Sequence, residues 1–242
     1  MIFLSILTVV FYLAAGAWVA AGVIRQESPS NGFKYYLLPG FAGLISHALL
    51  LYTTLQVGMD LNLGFFNAAS VMCWFITFFL LVVSIREPVE NLAMLFLPFA
   101  SVVVILAAYF PGQHLSSRDF DLSMGLHVIL SIAAYSLLTI SALQAVVLAI
   151  QERQLRKKAV VRILNILPPL KVMEDLLFGM ITTGFFCLSL SLVSGFMFIE
   201  DLFAQHLVHK TVLSVTAWVI FAVLLWGRRT WGWRGIKAIR WT

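Results

Sequence analysis

Imidazole is the side chain in this sequence best placed to do chemistry. There are five histidines, His47, His114, His127, His206 and His209. His47 follows Ser46 near the middle of one long apolar segment, and His127 stands one turn inside another. A neutral imidazole in such a setting must find a hydrogen-bond partner, carry a proton or ligate a metal. For His47 two readings stand level. One is a hydrogen bond between helices, to a hydroxyl such as Thr182, Thr183, Ser189 or Ser191. The other is haem ligation or a proton site.

His127 belongs to a pattern. Ser123, His127, Ser131, Tyr135 and Thr139 recur every four residues and so form one slowly drifting stripe on a helix. A polar stripe on an apolar helix faces a bundle interior or a cavity rather than lipid. Small hydroxyls bonding between helices would explain it, and so would the wall of a haem or ligand site with His127 as axial ligand. His127 is the first candidate for the haem iron. His206 and His209 fall in the short segment Glu200 to Lys210, and His114 lies in the connection before the helix of His127. Loop histidines are ordinarily solvated, yet His127 and His209 are expected at similar depth, where two imidazoles could clamp one haem iron.

The elements that must position these residues are membrane helices. The chain is 61% apolar and 11% charged, outside the range of a water-soluble globular domain. Apolar stretches long enough to cross a bilayer are expected at about 2–24, 35–56, 67–85, 92–110, 123–150, 176–199 and 211–227. The fold class is therefore all-α, a polytopic helix bundle of seven spans forming a single domain over 1–242. The first span has no basic residue before it and reads as a retained helix. Asn67 is a plausible N-cap for the third span.

Charge sets the expected orientation. Alternate connections hold Arg25, Lys34, Arg86, Arg153, Arg156, Lys157, Lys158, Arg162 and Lys171, and the tail adds Arg228, Arg229, Arg234, Lys237 and Arg240. The opposite face holds only Arg118 and Lys210, a split of 14 to 2. The positive-inside rule puts the N-terminus outside, with a basic cytoplasmic loop at 151–174 and a basic cytoplasmic tail at 228–242. The net charge of +5 thus needs no nucleic acid to explain it. The run Arg153 to Lys158 reads first as a topology anchor and second as a contact for anionic lipid. Residues 160–167 are expected along the interface, stopped by Pro168 and Pro169.

Several chemistries find no support. Cys73 and Cys187 lie within spans, outside any CxxC or CxxCH pattern, and read as small apolar residues. There is no Walker loop, no dinucleotide fingerprint and no HExxH motif. No span buries an Asp, Glu, Lys or Arg that would couple an ion, which argues against a transporter. No nucleophile and base pair with believable spacing, so a catalytic role is not expected.

The order of motifs along the chain resembles the cytochrome c assembly superfamily (CcsA and its relatives), most closely its HemX/YpjD-like branch. The segment Gly43-Leu44-Ile45-Ser46-His47-Ala48 is similar to the family's early membrane histidine segment. Residues 61–70 are similar to its FPLSNLYES-type segment. Leu126-His127-Val128 through Ser131, Ala134, Tyr135 and Ser136 is similar to its LHV…SYA helix. Pro168, Pro169, Leu170, Met173 and Glu174, the pair Ser194-Gly195, and Gly232-Trp233-Arg234-Gly235 also fit.

The resemblance implies a non-enzymatic protein of the bacterial inner membrane, haem as cofactor, and His127, with His47 and His209, as its ligands. Haem-exporting members carry a tryptophan-rich WWD loop before their next helix, whereas this chain has only the short segment 200–210, without tryptophan. Trp226 stands where such members place a second membrane histidine. These members also have an eighth span, which would begin after Arg240, so a truncated sequence is the expectation here. Complete haem translocation is not implied. The alternative is a scaffold or regulatory subunit that has lost haem and acts on a membrane or cytoplasmic partner, since HemX-like relatives are linked to control of haem biosynthesis.

Overall fold

In the computed structural model, residues 1–25, 31–57, 60–61, 65–87, 89–110, 122–156, 169–198 and 208–233 are described. They form seven long helices, each long and apolar enough to cross a membrane. A helix is the expected answer to lipid, because it satisfies its own backbone N–H and C=O groups where water cannot. The described helices fall into two compact units.

The first unit holds α1 (Ile2–Arg25), α2 (Leu37–Leu55), α3 (Phe65–Arg86) and α4 (Glu90–Tyr109). A 3-10 turn, Asn31–Tyr36, leads into α2. The packing is cyclic: α1 lies against α2 and α4, and α3 closes the ring on the other side of both. Between α2 and α3, the two-residue strands β1 (Gln56–Val57) and β2 (Asp60–Leu61) pair antiparallel, a detail not expected from the sequence.

Small residues let these helices approach. A Cβ on Gly43 would come within 2.5 Å of the Tyr12 ring, so α1 and α2 can touch there only because that hydrogen is all Gly43 presents. Gly16 similarly faces Pro98 of α4, at 3.3 Å from where its Cβ would stand. Trp74 donates from its indole nitrogen to the Leu44 carbonyl at 3.0 Å, tying α3 to α2.

The second unit holds α5 (Leu122–Arg156), α6 (Leu170–Phe198) and α7 (Val208–Trp231). α5 and α6 are the most extensively packed pair, and α7 lies on α6. Their core is Ala134, Leu138 and Leu188, flanked by Cys187, Leu192, Ala217, Trp218 and Phe221. Phe185 stacks on Trp218, whose indole N–H donates to Ser189 Oγ at 2.9 Å. Cys73 and Cys187 are both free thiols.

Helix boundaries depart from the hydropathy reading in instructive ways. α5 continues six residues past 150, where Glu152 and Arg156 form an i,i+4 ion pair at 3.0 Å. α6 begins at Leu170 rather than near 176, since the Pro169 carbonyl accepts the N–H groups of Val172 and Met173. Charged Lys171, Glu174 and Asp175 therefore sit inside a helix that hydropathy alone cuts short. α3 begins at Phe65, so Asn67 is not its N-cap but a buried residue of its first turn. Residues 160–167 lie outside the described residues.

α7 ends in a left-handed glycine cap of the αL type. Gly232 takes φ of +62°, its N–H donates to the Arg228 carbonyl, and the Trp233 N–H donates to the Gly227 carbonyl. The Trp233 ring folds back over Gly227, where a Cβ would stand 2.5 Å from it, and stacks on Trp231. The same turn carries Arg228, which pairs with Asp175 at 2.8 Å and Glu174 at 3.6 Å and lies 3.7 Å above the Phe178 ring.

Candidate functional site

Each unit centres one histidine in a polar cluster. In the first, His47 is 0% exposed and has both ring nitrogens occupied. The Tyr12 hydroxyl of α1 lies 3.0 Å from Nδ1, and Ser70 Oγ of α3 lies 2.9 Å from Nε2. Beside them Thr8 meets Ser46 at 3.0 Å, and Ser46 donates to the Gly43 carbonyl at 2.9 Å. Thr8 and Tyr12 are one turn apart on α1, so one face of that helix meets Ser46 and His47 of α2 together.

The hydroxyls named from the sequence for His47 are engaged elsewhere. Thr182 and Thr183 bond to their own helix at Phe178 and Gly179, Ser189 accepts from Trp218, and Ser191 meets Ser131. His47 makes interhelical hydrogen bonds, one of its two readings from the sequence, with partners from α1 and α3.

In the second unit, His127 of α5 is half-buried against the last turns of α6. Its Nδ1 lies 3.0 Å from the Ser191 carbonyl and 3.1 Å from Ser194 Oγ. A carbonyl has no proton to give, so the ring must donate through Nδ1. Ser194 spends its own proton on the same Ser191 carbonyl at 2.8 Å, leaving its oxygen to accept. Ser131 donates to the His127 carbonyl at 2.8 Å and meets Ser191 Oγ at 2.6 Å. Its oxygen is 3.5 Å from Nε2, at the outer limit of a hydrogen bond. With Nδ1 protonated, Nε2 carries a lone pair.

The stripe read from the sequence is thus real but divided. His127 and Ser131 meet α6, while the Tyr135 hydroxyl reaches Ser214 of α7. Thr139 turns back onto the Tyr135 carbonyl, and the side chain of Ser123 lies outside the described residues. His209 falls in the first turn of α7 with its side chain outside the description, and His114 and His206 lie outside the described residues altogether.

A bound haem needs an available nitrogen. His127 meets that requirement through Nε2, whereas His47 would have to give up Tyr12 or Ser70 to do so. No group of three or more His, Cys, Asp or Glu side chains suited to a metal occurs among the described residues.

The family model described as cytochrome C assembly protein matches residues 35–242, which include both histidines. The chain belongs to the cytochrome c assembly protein family. It is 28% identical to the inner membrane protein YpjD of Escherichia coli K12, over 97% of this chain and 89% of that protein. It is also 26% identical to an uncharacterized 28.8 kDa protein of Azospirillum brasilense, over 84% of this chain and 76% of that one. No solved structure matches the chain.

Within this cytochrome c assembly protein, some residues named from the sequence take other duties. Phe66 packs on Phe65 and Phe110, and Trp74 stacks on Phe78. Trp226 is 66% exposed on α7. Gly232 and Trp233, the start of the Gly-Trp-Arg-Gly motif, form the α7 cap described above. Sequence reasoning missed Tyr12 and Thr8, whose four-residue spacing on an apolar helix is the same signal that exposed the His127 stripe.

Proposed function

We propose that this member of the cytochrome c assembly family is a non-enzymatic inner membrane protein that binds haem, with His127 Nε2 as an axial ligand. The observation that carries the reading is the pairing of His127 Nδ1 with the Ser191 carbonyl, which leaves the opposite nitrogen as a Lewis base. A metal-binding histidine commonly donates its other N–H to such a partner. Haem, when bound, would supply an iron centre for ligation and redox chemistry. The chain's own contribution is to hold the imidazole and to surround it with apolar helix.

His47 is assigned to a different task in this reading. Both its nitrogens are satisfied by side chains of α1 and α3, which makes it a pin for the first unit rather than a second ligand. His209 remains the proposed second ligand from the sequence. The charge asymmetry of the connections supports an outside N-terminus and a cytoplasmic tail, which puts His127 toward the outer side.

Visible spectra of the purified protein, oxidised and reduced, before and after adding haemin, test the proposal. A sharp Soret band with split low-spin bands on reduction, lost in His127→Ala while the helix content is kept, is the expected result. Broad, non-saturable uptake unchanged by that substitution would overturn it.

A scaffold role is the second reading, and α7 favours it. Only 11% of its apolar window is buried, against 33–44% for the other spans. A helix so little covered has a face free for a partner's helix. Purification in mild detergent discriminates, because a scaffold brings down a stoichiometric partner and no pigment.

A further inference from the structure

The last turns of α6 do more than fill space beside His127. Three features converge on one imidazole: an acceptor-only carbonyl at Nδ1, a hydroxyl whose proton is already committed, and a glycine under the ring. A Cβ on Gly195 would stand 2.9 Å from His127 Cε1 and 3.3 Å from Nδ1, so any larger residue would drive the ring from its seat. Ser191 serves twice, since its side chain meets Ser131 one turn along α5 from His127 while its carbonyl receives the imidazole N–H.

We propose that the Ser191–Gly195 turn of α6 is a positioning element that holds His127 as the Nδ1–H tautomer and presents Nε2 as the metal-binding nitrogen. This rests on the reading of His127 as a haem ligand, and it names the residues that make it one. The carbonyl fixes the tautomer by chemistry: a ring protonated only at Nε2 would set the Nδ1 lone pair against the carbonyl lone pairs. Gly195 fixes the position by shape. Ser194 is the lesser member, because its oxygen shares a proton that the carbonyl alone can hold. Outer partners of this kind typically change metal affinity about 10–100-fold when altered.

The haem-free full chain, ¹⁵N-labelled in detergent micelles, gives the first readout. The ring-nitrogen resonances of His127, assigned through its backbone, should report a protonated Nδ1 and a bare Nε2. Finding the proton on Nε2 would overturn the proposal whatever the protein does with haem. Ser194→Ala should keep the Nδ1–H tautomer, and a switch in that variant would show that the Ser191 carbonyl is not the determinant.

Gly195→Ala gives the second readout. It should lower affinity for added haemin about 10–100-fold and disturb the His127 resonances. Unchanged affinity with unchanged resonances would overturn the role given to Gly195. A wild-type chain that takes up no haemin refutes the functional reading instead. The tautomer of that same haem-free chain is measured separately and needs no variant to fold.

Discussion

The rings of Tyr12 and His47 meet edge to face, centroids 5.8 Å apart at 75°, with the tyrosine hydroxyl 3.0 Å from Nδ1. Since Ser70 holds the other nitrogen, three helices of the first unit share one imidazole. Two proton arrangements satisfy it. Either Tyr12 donates to Nδ1 and Nε2 donates to Ser70, or both directions reverse. A fully enclosed imidazole with both ends bonded is a structural pin, because removing either partner strands a polar atom where no water reaches.

Tyr12→Phe should therefore destabilise the protein by about 1–3 kcal/mol, the usual cost of leaving a buried polar group unpaired. Ser70→Ala should act on the same unit to a similar extent. The pair is non-additive because both hydroxyls bond the one ring. Unfolding in mixed micelles titrated with sodium dodecyl sulfate measures all three variants, and full additivity would contradict the shared pin.

Gly43→Ala probes the neighbouring contact. Its Cβ would meet Tyr12 ring atoms at 2.5 and 2.7 Å, so α1 and α2 must separate or Tyr12 must leave His47. Overpacking of this kind costs about 1–3 kcal/mol. The same titration should show that loss, while the Gly179→Ala control, where nothing stands within 4 Å of the added atom, should be neutral.

Glu90 predicts a pH dependence. Burial in the first turn of α4 pushes its carboxyl above the ordinary range, partly offset by a backbone hydrogen bond and the Lys34 charge. A carboxyl raised in the folded state favours the protonated form there. Its effect on stability is therefore felt as pH climbs from the ordinary carboxylate range through the raised value, where the folded protein must bury a charge. Stability should fall across that window in the wild type, and Glu90→Gln should flatten the profile and be the more stable at neutral pH. A wild-type profile unchanged by the substitution would refute this.

Gly232→Ala tests the stop of α7. A side chain at φ of +62° is disfavoured by roughly 1 kcal/mol, and the cap bonds that seat Trp233 over Gly227 depend on that conformation. Tryptophan fluorescence should report a more exposed Trp233. Arg228, at the foot of the same turn, should lose protection of its pairing with Asp175, seen as weaker coupling in an Arg228→Ala, Asp175→Ala double-mutant cycle.

Much of the architecture was legible in the residues alone. Seven spans follow from the length of bilayer a helix must cross and from the need to satisfy every backbone group within it. His47 and His127 stood out because a polar ring in an apolar helix needs a reason. Helix ends were less legible. Polar residues such as Gln151 and Glu174 can continue a helix beyond its apolar part, and hydropathy does not register them.

Partners were decided only by the fold. A polar stripe turns one helix face inward, but the sequence does not name the helix that face will meet, because the remaining inward and outward surfaces are both apolar. The hydroxyls of α6 were equally good candidates for His47, yet Tyr12 and Ser70 took that place. Ser191, one of those candidates, instead gives its backbone carbonyl to His127. Close approach at Gly43 and Gly195 supports both outcomes, because a Cβ at either position would overlap the neighbouring Tyr12 or His127 ring.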